Sequence, residues 1–359
     1  MNRLRLAALA VTTTVLLGSL AACSGDEGER PRADPEASSS PEPSRKTRPK
    51  PPAPTRKPTT PAASPSRTRT PAPSADPTER CPMAPALPEP DRTLFGASIS
   101  TSTKLLPQSL ADEEARFGRM AVIRTFDPEM PPAGAWSRRQ AAIGDRMLVT
   151  SFRMPPGDVL AGRYDAQLRD YFRTAPTRPQ ILWSYIHEPE PLIMEGQFTA
   201  AQYREAFRHV VRLAQEQCRD NLFPTMILTG WTSKEASERD WRDYYAGDDY
   251  VSVVAWDPYN GATVQPTSYE SPEALFASVV EASEESGKPW GIAETGTMRT
   301  PQDPSGEERA EWLDATAQWF ADRGAAFVTY YQSTRNGEFI LLDRPSVQVW
   351  KKWVRWSRD

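Results

Sequence analysis

Short apolar runs that alternate with helical patterns are the feature that most restricts the fold of this chain. Eight such runs, rich in β-branched and aromatic residues, lie within residues 81–359, at Leu94–Ser98, Met120–Thr125, Arg146–Phe152, Gln180–Ile186, Thr225–Thr229, Tyr250–Trp256, Pro289–Ala293 and Ala326–Tyr331. Helical spacing of apolar residues is clearest at Ala200–Gln217, Pro272–Glu284, Ser305–Asp322 and Ser346–Trp356. Eight strands, each followed by a helix, predict an α/β fold of the (β/α)8 TIM-barrel type, with a doubly wound open sheet as the alternative.

The stretch from Ser24 to Arg80 has a different composition from the rest of the chain. It holds 14 prolines and contains no Leu, Ile, Val, Met, Phe, Tyr or Trp. A segment without apolar side chains has nothing to bury, and so it cannot offset the conformational entropy that folding costs. We therefore predict a disordered, partly polyproline-II tether over residues 23–80 and one folded domain over residues 81–359.

Residues 1–22 have the pattern of an export signal. Arg3 and Arg5 give a basic start, and the apolar run from Leu6 to Leu20 is short for a membrane span. The sequence Leu20-Ala21-Ala22-Cys23 then resembles the lipobox of bacterial lipoproteins, in which the cysteine becomes the lipidated mature N-terminus. The resemblance implies an exported protein held on the outer face of the cell membrane through a lipid on Cys23.

Two further cysteines, Cys81 and Cys218, lie in the predicted domain. An exported protein meets an oxidising environment, so an even pair of cysteines indicates a disulfide. Two unpaired thiols are the alternative.

Composition excludes several classes of function. The chain has 43 Lys and Arg against 47 Asp and Glu, a net charge of −4, which provides no basic surface for nucleic acid. Only 2 histidines are present, and no C-x-x-C pair or glycine-rich nucleotide loop occurs. We expect a monomer that needs no metal ion or cofactor.

Functional residues of a TIM barrel lie at the C-terminal ends of its strands. Glu188 follows the fourth predicted strand and Glu294 follows the seventh. Other polar and aromatic candidates at the strand ends, expected to contact substrate, are Arg124, His187, Trp231, Trp256, Asp257, Tyr259 and Tyr331.

Paired carboxylic groups surrounded by aromatic side chains are typical of glycoside hydrolases. One carboxyl group protonates the leaving oxygen, and the other attacks the anomeric carbon. Aromatic rings cover the apolar faces of sugars, while polar groups fix the hydroxyls. A tyrosine such as Tyr259 can donate a hydrogen bond that keeps a carboxylate nucleophile ionised.

Acids on strands four and seven resemble the large retaining clan of (β/α)8 glycosidases. Within that clan, His187-Glu188 resembles glycoside hydrolase family 26, the β-mannanase family, as do the segments Trp183–Glu188, Gly291–Gly296 and Asp257-Pro258-Tyr259. The resemblance implies a retaining endo-β-glycosidase that acts on a polysaccharide such as β-1,4-mannan. It implies Glu188 as acid/base and Glu294 as nucleophile, with Tyr259 in contact with the nucleophile.

The chain departs from the pattern of this family at three places around the sugar subsites. Ser184-Tyr185 occupies the region of a common Arg-Pro pair, Arg153 stands where a histidine is expected, and Tyr330-Tyr331 stands where a tryptophan is usual. These changes leave both glutamates in place and concern which sugar is bound.

Two other classes of function are compatible with parts of this pattern. A catalytically inactive glycan-binding barrel would keep the aromatic residues, and activity on a panel of polysaccharides separates it from an enzyme. An esterase or a metal-dependent deacetylase is disfavoured, because no G-x-S-x-G occurs and His187 and His209 lack H-E-x-x-H spacing.

Overall fold

The computed structural model describes residues 81–102 and 104–359. The predicted signal segment, the lipidation site Cys23 and the predicted tether all lie outside the described residues. In the part of the chain that is described, no helix combines the length and the apolar character needed to span a bilayer.

Within the described residues, nine strands form one parallel sheet system that closes on itself. They are β1 (Leu94–Ser98), β2 (Val122–Asp127), β3 (Met147–Phe152), β4 (Ile181–Tyr185), β5 (Leu222–Thr229), β6 (Val253–Asp257), β7 (Tyr259–Asn260), β8 (Trp290–Thr297) and β9 (Phe327–Tyr330). Neighbouring strands pair in chain order, β9 pairs with β1, and β6 pairs directly with β8. The two-residue β7 only extends the edge of β8, so the barrel proper has eight strands and β8 is its seventh.

α-Helices follow the barrel strands along the chain except after β5, where three short 3-10 helices, Gly230–Ser233, Glu235–Ser237 and Trp241–Asp243, take the place of the predicted helix. The α-helices are α1 (Leu106–Phe117), α2 (Ala135–Ile143), α3 (Pro156–Leu160), α4 (Asp165–Arg173), α5 (Pro189–Met194), α6 (Ala200–Gln215), α7 (Pro272–Ser286), α8 (Glu307–Asp322) and α9 (Arg344–Trp356). This arrangement confirms the predicted TIM barrel. Closure between β6 and β8 rules out the open doubly wound sheet, which would leave two free edges.

Local sequence explains where the clearest helices begin. Thr199 caps α6, because its hydroxyl accepts the N–H of Gln202 while the Gln202 side chain accepts the N–H of Thr199. Ser271 caps α7 in front of Pro272, whose fixed φ suits the first helical position. These two caps therefore fix the residues at which α6 and α7 begin.

Two apolar layers hold the barrel together. The inner layer fills the barrel near the N-terminal ends of the strands and includes Leu87, Val149, Leu182, Val253 and Phe327. The larger outer layer packs the helices against the outward side chains of the strands. Because apolar residues fill the barrel near the N-terminal ends of the strands, the inward-facing polar side chains lie near the C-terminal ends.

A disulfide joins Cys81 to Cys218, with Cα atoms 5.3 Å apart. Cys218 lies in the loop between α6 and β5, and this loop enters the N-terminal end of a strand. The bond therefore fastens the start of the described domain to the end of the barrel opposite the strand C-termini.

Removing this disulfide should lower the stability of the domain. The bond spans a sequence separation of 137 residues, and loop-closure entropy for a segment of that length gives a stabilisation of about 5 kcal/mol. Denaturant unfolding of the full chain should show this loss in Cys81→Ser and Cys218→Ser alike, and in the wild type under reductant. Wild-type stability in either single variant, or alkylation of both Cys81 and Cys218 in the unreduced denatured chain, would contradict the bond.

Candidate active site

A cavity of about 1000 Å³ opens at the C-terminal ends of the barrel strands. Its lining comes from segments that follow or end different strands, among them Arg124, Arg153, His187, Glu188, Glu294 and Tyr331. Residues far apart in sequence therefore meet in one cleft, at the position where TIM-barrel proteins place their chemistry.

The turn after β4 presents His187 and Glu188 from an unusual backbone. Ile186 and Glu188 both have positive φ, 53° and 49°, in the left-handed region that non-glycine residues rarely adopt. The Glu188 N–H donates to the carbonyl of Ile227 at 3.0 Å, which fixes the turn against β5. Left-handed backbone at a non-glycine residue costs free energy, and such strained positions are common at functional sites.

Glu294 lies on β8 between a hydroxyl donor and a guanidinium. The Tyr259 hydroxyl donates to Glu294 Oε2 at 2.8 Å, and Arg124 Nη2 lies 3.3 Å from Glu294 Oε1. Burial raises the pKa of Tyr259 well above its usual value, and the nearby Glu294 charge raises it further, so this hydroxyl keeps its proton to donate. Both contacts stabilise negative charge on Glu294.

Arg124 is also the start of a polar chain that orients His187. Its guanidinium is only 1% exposed, and Nη1 donates to Ser151 Oγ at 2.7 Å. Ser151 Oγ lies 3.0 Å from Nδ1 of His187. Burial lowers the pKa of His187 well below its usual value, and the charges of Arg124 and Arg153 lower it further, so the imidazole is neutral at neutral pH.

Glu188 is the protonated member of the carboxylic pair at neutral pH. Burial is the first cause that raises its pKa, to about 8, and the charges of Glu294 and Glu190 act in the same direction. Two nearby carboxylic groups with different surroundings can take different roles in one reaction.

Asp257 points into the site from β6 and is only 3% exposed. Burial and then the charges of Glu294 and Glu188 raise its pKa well above the usual value. His187, Asp257 and Glu294 offer ligand atoms that all lie within 4.8 Å of one another, the spacing that a metal ion would need. Arg124 already places a positive charge beside Glu294, which disfavours a cation there, and neither carboxyl oxygen of Asp257 has a hydrogen-bond partner among the described residues.

Trp256 corrects one of the sequence predictions. It is fully buried, and its indole N–H donates to Ser283 Oγ on α7 at 2.9 Å, so it faces the helix layer. The prediction that it contacts substrate is therefore wrong. Tyr331 lines the cavity as expected, whereas Trp231 is 49% exposed and lies outside the lining residues.

Sequence reasoning missed two side chains that support the site. Ser151 joins Arg124 to His187, and its inward direction follows from strand alternation with Val149. Glu190 is fully buried, and its Oε1 accepts hydrogen bonds from the Thr229 N–H and from the hydroxyls of Thr229 and Thr232. Glu190 thus joins the start of α5 to the segment after β5.

Fold and site together define a (β/α)8 barrel with glutamates at the ends of its fourth and seventh strands. Neither a protein-family model nor a curated protein matches the chain. Solved structures do match it in fold. The catalytic domain of a GH26 endo-β-1,4-mannanase from Bacillus sp. JAMB-750 aligns with a TM-score of 0.53 at 13% identity, over 74% of this chain and 86% of that one.

Other matches have a similar degree of likeness. A GH26 β-mannanase from Bacteroides ovatus has a TM-score of 0.52 at 15% identity, covering 74% of this chain and 89% of that chain. An exo-β-1,4-mannosidase from Opitutaceae bacterium strain TAV5 has a TM-score of 0.55 at 14% identity, covering 74% and 60%. At such identities the likeness establishes that this chain shares its fold with GH26 mannanases.

Proposed function

We propose that the protein is a retaining endo-β-glycosidase that hydrolyses β-linked polysaccharide of the β-1,4-mannan type. The observation that carries the proposal is the pairing of Glu188 with Glu294 in one cleft. Glu188 holds a proton at neutral pH, while Glu294 accepts a hydrogen bond from Tyr259 and lies beside Arg124. A carboxyl group that holds a proton and a second carboxyl group held by neighbouring donors in the same cleft are what glycoside hydrolysis requires.

In the proposed mechanism Glu188 protonates the glycosidic oxygen as Glu294 attacks the anomeric carbon. The leaving sugar departs, and a covalent glycosyl–Glu294 ester remains. Glu188, now deprotonated, takes a proton from water, which attacks the ester and releases a product of retained configuration. Tyr259 and Arg124 hold the Glu294 oxygens in place, and neutral His187, positioned by Ser151, offers a hydrogen bond to the sugar.

The proposal is tested by product analysis on mannan, glucomannan, xylan and mixed-linkage glucan. We expect hydrolysis of at least one of them, and proton NMR should show the β-anomer as the first product. Initial formation of the α-anomer would replace the retaining mechanism with an inverting one. Binding to these glycans without cleavage would favour the inactive glycan-binding barrel.

Activity should fall as the pH rises through about 8. Glu188 must be protonated to act as the acid, and its pKa is raised to about 8 by burial and neighbouring carboxylates. The value of kcat/KM on polysaccharide should therefore be lost on the alkaline side. The leaving group of an activated aryl glycoside needs little protonation, so kcat/KM on this substrate should fall much less at alkaline pH. Equal alkaline losses on both substrates would contradict the role of Glu188.

We also propose that the protein is exported and held at the outer face of the cell membrane by a lipid on Cys23. The support is the sequence Leu20-Ala21-Ala22-Cys23 after an apolar run. Cys23→Ala should release the protein from the membrane fraction or leave its precursor uncleaved, as mass spectrometry of the intact chain will show. Unchanged mass and partitioning would reject the anchor.

A further inference from the structure

The walls of the cleft carry more positive than negative charge. Six basic side chains line it, namely Lys104, Arg124, Arg138, Arg139, Arg153 and Arg335. Three acidic side chains line it, and two of these are the paired glutamates Glu188 and Glu294. Aromatic lining is sparse, because Phe126 and Tyr331 are the only Phe, Tyr or Trp side chains among the lining residues in the part of the chain that the structure describes.

Half of these basic groups already have carboxylate partners. Arg139 makes two hydrogen bonds to Asp127, at 2.7 and 2.5 Å, and Lys104 pairs with Asp112 at 2.5 Å. Arg124 lies against Glu294. These charges stabilise the protein's own carboxylates and are largely neutralised before any ligand arrives.

Arg138, Arg153 and Arg335 are exposed, and none of them has a carboxylate within 4.0 Å among residues 81–102 and 104–359. Arg138 donates to the carbonyl of Ala133 at 3.1 Å, whereas the guanidinium groups of Arg153 and Arg335 have no hydrogen-bond partner among these described residues. Arg153 follows β3 and is close enough to His187 that its charge adds to burial in lowering the pKa of that imidazole. Arg335 follows β9, and its charge partly opposes the rise that burial causes in the pKa of Tyr331. Two unpaired guanidinium groups therefore face the cleft from separate segments.

The excess of positive charge in the cleft contrasts with the net charge of the whole domain. Residues 81–359 contain more Asp and Glu than Lys and Arg, so the domain is anionic overall. A cleft of opposite sign in an anionic domain concentrates the field where ligand enters. Arginine also suits planar anions, since its fork of donors matches carboxylate and phosphate oxygens.

We propose that this cleft binds a glycan that carries negative charge, as carboxylate or phosphate groups on its sugars, and that Arg153 and Arg335 bind those groups. The proposal rests on the glycosidase function given above and specifies its substrate class. A neutral mannan presents only hydroxyls to these two arginines. A chain with an anionic group at C6 offers each of them a charge-assisted hydrogen bond.

The test compares one β-1,4-mannan in three forms: untreated, oxidised at C6 to carboxylate, and phosphorylated at C6. We expect kcat/KM to be about tenfold higher on at least one anionic form at low salt, and the preference should shrink with added NaCl. The form that is preferred identifies the anionic group. Equal or lower kcat/KM on both anionic forms, with neutral mannan still cleaved, would overturn this inference and leave the glycosidase function intact.

Single substitutions test which arginines produce the preference for the anionic form. Arg153→Gln and Arg335→Gln should each reduce the preference for the anionic form by about threefold, mainly through KM, so that the two losses together account for the tenfold preference. Arg355→Gln is the control for surface charge outside the cleft, because this exposed arginine lies in the last turn of α9, pairs with Asp359 and does not line the cavity. A loss of preference in Arg355→Gln equal to that in the two cleft variants would indicate nonspecific attraction and reject the assigned arginines.

Affinity electrophoresis of the wild type in gels of the three polymers separates the two proposals. Slower migration in an anionic gel than in the neutral one, without cleavage of any polymer, would support the anionic ligand and overturn the glycosidase. Equal migration in all three gels, without cleavage, would overturn both.

Discussion

Glu294→Ala is expected to lower turnover on polysaccharide by about 10⁴-fold or more. The substitution removes the proposed nucleophile and leaves the Tyr259 hydroxyl and the Arg124 guanidinium without the carboxylate they contact. A 10⁴-fold loss corresponds to about 5.5 kcal/mol of transition-state stabilisation. Mass spectrometry with a 2-fluoro activated glycoside should find the trapped ester on the wild type and none on the variant.

A surface glutamate provides the control for this variant. Glu307→Ala, in the exposed first turn of α8, should keep wild-type turnover. Azide added to Glu294→Ala should give the α-glycosyl azide, because azide then attacks from the face that the carboxylate has vacated. Near-wild-type turnover in a folded Glu294→Ala, or a trapped ester on another residue, would reject Glu294 as the nucleophile.

Glu188→Ala is expected to separate the two halves of the reaction. Without its acid the enzyme should lose about 10²- to 10⁴-fold on polysaccharide, where the leaving group needs a proton. An activated aryl glycoside should still form the covalent ester, which then accumulates because no base activates water. Azide should restore turnover on this substrate and give the β-glycosyl azide, since it needs no general base.

The Glu188 prediction is contradicted by equal losses on the polysaccharide and on the activated substrate. It is also contradicted if azide yields the α-product. Glu190→Gln is a useful comparison, because Glu190 is a buried neighbour that binds Thr229 and Thr232 and does not line the cavity. Its effect should appear in stability and in the pH at which activity falls, because the Glu190 charge helps to raise the pKa of Glu188, and azide should not rescue it.

Strand order, barrel closure and the placement of Glu188 and Glu294 followed from sequence because they depend on periodicity. Apolar runs mark strands, and a parallel barrel brings all their C-terminal ends to one face. The prediction that Trp256 contacts substrate was wrong for a related reason. Neighbouring residues of a strand face opposite sides, so with Asp257 pointing into the site Trp256 must point to the helices.

The remaining parts of the site could not be predicted from periodicity. The left-handed backbone at Ile186 and Glu188 depends on contacts between the turn after β4 and β5. Neither Ile nor Glu favours this conformation, so the sequence does not predict it. The unpaired state of Arg153 depends on which carboxylates come near it in space. Sequence places an arginine after a strand, but only the fold decides whether that charge is already neutralised.

The disulfide also has a mechanical consequence. Cys81 is bonded to Cys218 beside the start of β5, while the cavity opens at the other end of the strands. Tension applied to the chain at Cys81 is therefore transmitted through the disulfide to the end of the barrel at which β5 begins. The segment between Cys81 and β1 does not have to bear that tension alone. Immobilisation through this end would leave the mouth of the cleft turned outward, accessible to polymers much longer than the domain itself.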